Sequence, residues 1–286
     1  MRISKIKVNP KMISTEPADG LNWRTRFDFA VSENGRIGLY ASKTKDVIEI
    51  DECSIAVKDI NNSGVFSKKW NESDRIRVSA SSSNQLNISR GSKTIDGPKK
   101  IHEIVGSHIY DISPQSFWQS HTHAPLLLSN LAIDFMKLNP GDIVCDLFGG
   151  VGLFTMPIAR MVGDDGHVHL VELSSQAVRD ASKIFKDYTN VSIHKGSVDR
   201  KLPRIKNVDI ILLDPPRSGA GKKVVDQIIS KNPRVVVYIS CDPATLARDA
   251  KFLQDSGYEI DKINAIDLFP MTHHIECIVR FIPKKD

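Results

Sequence analysis

Three side chains that can take part in chemistry each end an apolar run of the sequence. Glu172 ends the run HVHLVE, Asp214 ends VDIILLD, and Cys241 ends RVVVYISC. Runs of this kind predict buried strands, and open α/β sheets bind ligands outside the carboxyl ends of such strands. A thiol there is a nucleophile once it has lost its proton, and a carboxylate accepts protons or hydrogen bonds. The pattern therefore predicts one pocket that combines a reactive thiol with acids.

Cys241 is the cysteine that the sequence singles out as reactive. A helix is predicted to begin at Pro243, and the positive end of its dipole is expected to lower the pKa of the neighbouring thiol. Cys145 lies inside a predicted buried strand and is expected to be inert. Cys53 and Cys277 fit the ordinary interpretation of small buried residues. No CxxC pair occurs, so we expect no disulfide framework.

A glycine-rich segment, DLFGGVG, lies between a predicted strand and a predicted helix. Gly149, Gly150 and Gly152 would let the backbone approach a ligand closely, and Glu172 follows about 20 residues later, where an acid binds ribose hydroxyls. The segment is not GxGxxG, and the chain has no P-loop. It favours an adenosine-containing ligand other than a dinucleotide or ATP; a tight turn made for packing is the alternative.

Two acids flank the predicted thiol site in sequence. Asp214 is followed by two prolines, which cannot continue a central strand and therefore fix where the chain leaves the sheet. Glu276 begins the last predicted strand and is a candidate general base; a surface acid at a strand start is the alternative. The pair His273 and His274 has no third ligand at a suitable spacing, so no metal site is predicted.

The elements that must position these residues fall into two regions. Residues 1–110 are β-rich, with alternating segments around Asn34-Gly35 that predict a hairpin. Residues 111–286 alternate predicted strands and helices, which indicates a mostly parallel, doubly wound sheet whose final strand pair forms an antiparallel edge. The expected domains are therefore 1–110, a small antiparallel β domain, and 111–286, an α/β domain.

Charge and hydropathy narrow the function classes. The 286 residues carry a formal net charge of +5, and the whole excess lies in the first 110 residues. Such a surplus suits a polyanion such as RNA, although a merely soluble surface is the alternative. No apolar run reaches the ~20 residues that a membrane span needs, and no signal sequence is evident, so we expect a cytoplasmic protein.

Six motifs in order make residues 111–286 resemble the S-adenosylmethionine-dependent RNA (uracil-5-)-methyltransferases that modify tRNA or 23S rRNA. Residues 22–53 also resemble the central β-domain of this family. The resemblance implies a Rossmann-like, doubly wound, seven-stranded methyltransferase sheet beside the smaller antiparallel N-terminal domain. The motifs are FWQ (117–119), DLFGGVGLF (146–154), LVE (170–172), LLDPPRSG (212–219), YISCDPATLARD (238–249) and DLFPMTHHIE (267–276).

The resemblance also implies roles for individual residues. Cys241 matches the nucleophile that adds to C6 of uracil, and Glu276 matches the base that removes the C5 proton. Arg217 and Phe269 are expected in the pocket wall from their positions. The matches to S-adenosylmethionine contacts, with the glycines of the loop, are Gln119, Phe148, Gly149, Gly150, Gly152, Glu172 and Asp214.

The sequence departs from the family pattern in four places. Asp242 replaces the usual asparagine after the catalytic cysteine, and His121 replaces an asparagine after the FxQ motif. No segment corresponds to the N-terminal RNA-binding barrel. Of the four iron–sulfur cysteines only Cys53 has a match, and one cysteine cannot hold a cluster that needs four, so no iron–sulfur cluster is expected.

Two other functions stay open at this point. An N-methyltransferase acting on a base amino group uses a DPP motif followed by an aromatic residue, where this chain has Arg217. A non-catalytic RNA-binding relic would keep the fold without turnover. The expected partner is RNA, either tRNA or 23S rRNA, with no membrane; the oligomeric state is open, with a monomer as the default.

Overall fold

The structure is a computed structural model that describes residues 8–71 and 74–284. The described residues divide into two compact units: one contains residues 8–15 and 125–284, and the other lies within Glu16–Ala124. The placement of the domain boundary between residues 110 and 111 stays a prediction.

The described residues form strands and helices in the following order. The strands are β1 (Lys11–Ile13), β2 (Arg26–Val31), β3 (Ile37–Tyr40), β4 (Val47–Glu49), β5 (Arg75–Ala80), β6 (Leu86–Arg90), β7 (Lys93–Asp96), β8 (Ile101–Val105), β9 (His108–Ile112), β10 (Ile143–Leu147), β11 (His167–Glu172), β12 (Val191–Lys195), β13 (Ile210–Leu213), β14 (Val235–Ser240), β15 (Tyr258–Ile266) and β16 (Glu276–Pro283). The helices are α1 (Lys58–Asn61), α2 (Ala124–Met136), α3 (Thr155–Val162), α4 (Ser175–Ile184), α5 (Val198–Lys201), α6 (Gly221–Ser230) and α7 (Pro243–Asp255), with a 3₁₀ turn at Leu202–Arg204.

The large unit is built on an eight-stranded sheet in the order β1-β15-β16-β14-β13-β10-β11-β12. All its neighbouring strands are parallel except β16, which runs antiparallel to both β14 and β15. The predicted doubly wound α/β class is confirmed. The sheet has one strand more than the seven expected, because β1 pairs with β15 in the register Ile13↔Ile266.

The antiparallel strand lies inside the sheet, whereas the sequence predicted an antiparallel edge. After β14, helix α7 carries the chain past one strand position, so β15 is not adjacent to β14 and a gap of one strand is left between them. The chain then turns back and β16 fills the gap, which a short antiparallel return allows and a parallel return does not. This places the first residue of β16 at the same sheet edge as the last residue of β14.

The central strands are largely apolar, as is typical of a parallel sheet whose two faces are both covered by helices. Every residue of β13 and β14 is buried. Helix α4 shows the predicted serine cap, since the Ser174 side chain accepts from the Ala177 N–H at 3.3 Å. Strand β13 ends at Leu213, directly before the Asp-Pro-Pro sequence, as the prolines predicted.

The second unit contains a six-stranded antiparallel sheet, β4-β3-β2-β5-β6-β7, and the separate hairpin β8–β9. The hairpin predicted at Asn34-Gly35 is confirmed, with Val31 opposite Ile37 and Gly35 at φ 75°. One face of this sheet packs an apolar core that includes Phe29, Ile76 and other buried residues. Within the described residues, the helices are too short or too polar to cross a bilayer.

Candidate active site

The parallel strands β10, β11, β13 and β14 all end at one edge of the large sheet. Strand β16 runs the other way and therefore begins at this edge. Ser240 is paired with Cys277, so Cys241, which follows the one, and Glu276, which precedes the other, lie at the same sheet edge. The fold thus gathers the predicted nucleophile and base, which lie far apart in sequence, at neighbouring strand ends.

The glycine loop after β10 packs tightly on its surroundings. A Cβ on Gly152, at φ 93°, would lie 2.3 Å from Cε2 of Phe185, and one on Gly149 would lie 2.9 Å from Cγ of Leu170. Phe148 takes a left-handed φ of 61°, which is uncommon for a residue with a side chain. The packing interpretation therefore explains Gly149 and Gly152. At Gly150 a Cβ would meet no atom within 4 Å, so this part of the loop faces open space.

Glu172 holds the glycine loop through backbone N–H groups. Its Oε2 accepts from Gly150 at 3.0 Å and its Oε1 accepts from Ser174 at 2.5 Å. The carboxylate is half-buried, and both of its oxygens are bonded. Leu173, the next residue, is 68% exposed although it is apolar. Sequence reasoning gave Leu173 no role; the apolar run that continues past the acid was the available signal.

Asp146 lies beneath the glycine loop and is only 1% exposed. Its Oδ2 accepts from the Thr155 hydroxyl at 2.6 Å, whereas Oδ1 has no hydrogen-bond partner in the described part of the chain. Burial raises the pKa of this carboxyl to about 7, and the charge of Glu172 acts in the same direction. The sequence placed Asp146 in the motif without assigning it a function.

Cys241 follows β14 and is half-buried. Burial raises the pKa of its thiol, and the charges of Glu276 and Asp214 raise it further, while Arg217 lowers it. The lowered pKa expected at this helix start is therefore wrong for the thiol as a whole, because desolvation and two acids outweigh the favourable contributions. Cys145 is buried, and its pKa is raised to about 12, in line with the inert thiol expected there.

Asp242 caps helix α7 directly after the thiol. Its Oδ1 accepts from the backbone N–H groups of Ala244 and Thr245, both at 2.9 Å. These bonds lower the pKa of the Asp242 carboxyl. An asparagine oxygen would make the same cap, so the departure from the family pattern leaves the start of the helix intact.

Glu276 is buried, with 3% of its surface exposed, so the interpretation as a surface acid is wrong. Burial raises the pKa of its carboxyl well above the ordinary range, and the neighbouring charge of Asp214 raises it further. Its Oε1 has no hydrogen-bond partner among the described residues. A buried carboxyl with one unused oxygen is costly for folding and is typical of a functional site.

The remaining predicted site residues have different surroundings. Asp214 is half-buried, and its N–H donates to the Leu147 carbonyl at 3.4 Å. Arg217 contacts His274, with Nη2 and Nε2 2.8 Å apart, and the Phe269 ring lies edge-on to His274 at 6.1 Å. Within the described ranges, no cluster of three or more His, Cys, Asp or Glu has a geometry suited to a metal ion.

Three positions that the sequence singled out belong to the second compact unit. Gln119 is buried there, with 8% of its surface exposed. His121 is also buried; it stacks on Trp23 with ring centroids 5.4 Å apart, and its Nδ1 accepts from the His123 N–H at 3.0 Å. Burial lowers the pKa of His121 to about 4, so this residue is a neutral packing group. Cys53 is half-buried in the same unit.

Residues 99–284 match the family model for tRNA (uracil-5-)-methyltransferase. A protein of Streptomyces avermitilis described as an uncharacterized RNA methyltransferase is 33% identical over 291 residues, covering 91% of this chain and 67% of that protein. A protein of Streptomyces coelicolor with the same description is 33% identical over 292 residues, covering 92% of this chain and 64% of that protein. The chain thus spans about two thirds of the length of these curated relatives.

The chain also resembles a solved structure in its fold. The tRNA (uracil-54, C5)-methyltransferase of Pyrococcus abyssi, in complex with S-adenosyl-L-homocysteine, matches with a TM-score of 0.77 at 22% identity. The match covers 98% of this chain and 80% of that chain. At this identity the likeness establishes the fold.

Proposed function

Because the chain belongs to the tRNA (uracil-5-)-methyltransferase family, whose members are S-adenosylmethionine-dependent RNA-modifying enzymes, we propose that it methylates C5 of a uridine in tRNA or 23S rRNA. The reaction passes through a covalent bond between Cys241 and C6 of the uracil. One observation carries this proposal: a half-buried thiol, a buried acid with an unbonded oxygen and a second acid meet at one sheet edge.

The loop between β10 and α3 fits S-adenosylmethionine. Gly150 leaves open space where a side chain would stand, the Glu172 carboxylate beside it would accept from ribose hydroxyls, and the exposed Leu173 would pack on the flat face of adenine. Phe148 and Asp214 are the other proposed S-adenosylmethionine contacts on the large unit. Gln119 is proposed as a contact on the resemblance alone. S-adenosylmethionine supplies a methyl group on a positively charged sulfur, which leaves as a neutral thioether.

Cys241 makes the uracil nucleophilic. C5 of uracil is a weak nucleophile. The thiolate of Cys241 therefore adds to C6 first, and the electrons of the C5–C6 double bond move toward the C4 carbonyl oxygen. C5 then has carbanion character and forms the new bond to the methyl carbon. Covalent catalysis of this kind replaces one difficult step by easier ones.

Glu276 completes the reaction by removing a proton. Its ionised carboxylate takes the proton from C5, the C5–C6 double bond forms again, and the sulfur of Cys241 leaves C6 as a thiolate. The raised pKa of Glu276 makes its carboxylate a stronger base than an exposed glutamate. Positive charge in the pocket favours the ionised forms of both groups, as Arg217 already does for the thiol.

The target uridine must leave its base stack to reach Cys241. Unstacking and unpairing cost a few kcal/mol, and loop nucleotides pay least. This favours a uridine in a loop of a folded RNA. Nucleoside mass spectrometry on tRNA and rRNA purified separately, from cells with and without the gene, identifies which RNA loses 5-methyluridine.

Trapping with 5-fluorouridine-containing RNA tests the covalent step. Fluorine at C5 cannot be removed as a proton, so the methylated adduct with Cys241 should persist on a denaturing gel. Cys241→Ala should form no adduct and lower methyl transfer by about 10⁴-fold or more, while S-adenosylhomocysteine still binds. An N-methyltransferase would methylate RNA without an adduct, and a relic would bind no S-adenosylmethionine in calorimetry; either result overturns the proposal.

A further inference from the structure

A buried carboxylate outside the reacting groups connects three segments of the site. Asp249, in the second turn of α7, is fully buried. Its Oδ2 accepts from the Tyr238 hydroxyl at 2.8 Å and from the N–H groups of Ala220 and Gly221 at 2.8 and 3.2 Å. Its Oδ1 accepts from Nε of Arg248 at 2.8 Å. Both oxygens are therefore engaged.

These bonds supply a cap that helix α6 does not have locally. Its N-cap residue is Ala220, whose side chain cannot accept a hydrogen bond. The first N–H groups of a helix need acceptors, and a negative charge there also complements the helix dipole. Asp249 provides both from the neighbouring helix α7. The start of α6, and the loop that leads into it, are thus attached to the helix that follows Cys241.

Helix α7 also forms hydrogen bonds with successive residues of the loop that follows the Asp-Pro-Pro turn. The Thr245 hydroxyl donates to the Arg217 carbonyl at 3.2 Å, and Nη2 of Arg248 donates to the Ser218 carbonyl at 2.9 Å. Gly219 permits this close approach, because a Cβ there would lie 2.6 Å from Oδ2 of Asp249. The segment that carries Arg217 away from the Asp-Pro-Pro turn therefore lies directly on α7.

We propose that Asp249 is a positioning residue for the methyl-transfer site: it holds the loop of residues 217–221 on α7 and thereby keeps the Arg217 guanidinium where its charge acts on the Cys241 thiol. Asp249 is also linked to the strand that precedes Cys241. Tyr238, which donates to Asp249, lies on β14 three positions before Cys241. One carboxylate thus joins the strand of the nucleophile, its following helix and the cationic loop.

The consequence concerns the charges that act on the thiol. Glu276 and Asp214 act against its ionisation, and Arg217 acts for it. If residues 217–221 move away from α7, the contribution of Arg217 falls with distance, while Glu276 stays on β16 and Asp214 stays at the end of β13, before the two prolines. The thiolate fraction at neutral pH then decreases. This inference rests on the proposed role of Cys241, but it makes a prediction about the thiol that needs no RNA.

The test is the pH dependence of Cys241 alkylation by iodoacetamide, followed on the peptide that contains Cys241 by mass spectrometry. In Asp249→Asn one oxygen is replaced by a donor group, so the side chain loses its charge and the bonds on one side: the bond from Arg248, or the bonds from the Tyr238 hydroxyl and the N–H groups of α6. We expect the alkylation rate at pH 7 to fall about three- to tenfold and its rise to move to higher pH. The matched control is Asp255→Asn, an exposed acid on the same helix that pairs with Lys251; its profile should match the wild type.

A second variant covers the case in which Asp249→Asn does not fold. Arg248→Met removes the bond to Ser218 and one partner of Asp249 at a partly exposed position, and we expect a smaller shift in the same direction. Arg217→Met measures the whole effect of the guanidinium, and adding Asp249→Asn to it should cause no further shift. A folded variant with an unchanged profile, or shifts that add in the double variant, overturns the proposal. If the wild type forms no adduct with fluorouridine-containing RNA but the alkylation shifts are as expected, the methylation mechanism is overturned and the role of Asp249 is not.

Discussion

Two glutamates at the same sheet edge have opposite surroundings. Glu172, at the end of β11, is half-buried and accepts a backbone N–H on each oxygen. Glu276, at the start of β16, is buried and leaves Oε1 without a partner among the described residues. In the proposed function, the difference separates a binding half of the site, around Glu172, where every carboxylate oxygen is hydrogen-bonded, from a reacting half, around Glu276, where a carboxyl is buried beside another acid. A binding acid must stay ionised, whereas a base must exchange a proton.

The largest expected effect is on the reacting half. Glu276→Gln keeps the shape but removes the proton acceptor, so methyl transfer should fall about 10²- to 10⁴-fold. Because Cys241 still adds to C6, a covalent complex with ordinary RNA should accumulate on denaturing gels. Exposed Glu259 provides the control, Glu259→Gln, which should turn over normally. Normal turnover by Glu276→Gln would remove the distinction between the two glutamates.

The binding half should respond to the loss of close packing. Gly152→Ala places a methyl 2.3 Å from the Phe185 ring at a φ of 93°, so the loop must move. We expect a loss of about 3 kcal/mol in the free energy of unfolding and a large decrease in S-adenosylhomocysteine affinity. Gly141→Ala, at φ 87° with free space around its Cβ, isolates the backbone strain. Calorimetry and thermal melting measure both effects; equal losses in the two variants would show that the contact with Phe185 is unimportant.

Glu172→Gln should have a smaller effect on the same half. The amide keeps one oxygen to accept an N–H, but it presents a donor to the other and loses the charge. Hydrogen bonds to charged groups contribute about 1.5–3 kcal/mol, so S-adenosylhomocysteine affinity should fall about tenfold or somewhat more. The maximal methylation rate at saturating S-adenosylmethionine should change little. A large decrease in that rate with unchanged affinity would place Glu172 in the reacting half.

The smallest effect is a pH dependence of stability. The folded protein raises the pKa of Glu276, so above its ordinary value the native state binds more protons than the unfolded state. The contribution of Glu276 to the free energy of unfolding is therefore fully present at low pH and is lost as the pH rises toward the raised pKa. Glu276→Gln removes this loss, and its melting temperature should exceed that of the wild type by a few degrees at pH 8 and by less at pH 5. A pH-independent difference would contradict the raised pKa.

The strand ends show how much of the site could be predicted. The apolar runs before Glu172, Asp214 and Cys241 identified three strand ends, and the parallel topology brings them to one edge. Asp249 escaped prediction because its sequence context is that of an ordinary helix, and Leu173 was given no role although the apolar run continues past Glu172. The direction of the Cys241 pKa was also wrong, since the helix that follows it is a local feature while the acids are not.

The sequence by itself determined the types of elements, where they end and which reactive groups they carry, because periodicity and chain-breaking residues act over a few positions. Only the tertiary structure decided that β16 lies between β14 and β15, and that Glu276 is buried beside Asp214 and Cys241. It also decided that β1 extends the large sheet. Burial and charge interactions depend on groups brought together from distant parts of the chain, and these set the proton affinities on which the proposed chemistry depends.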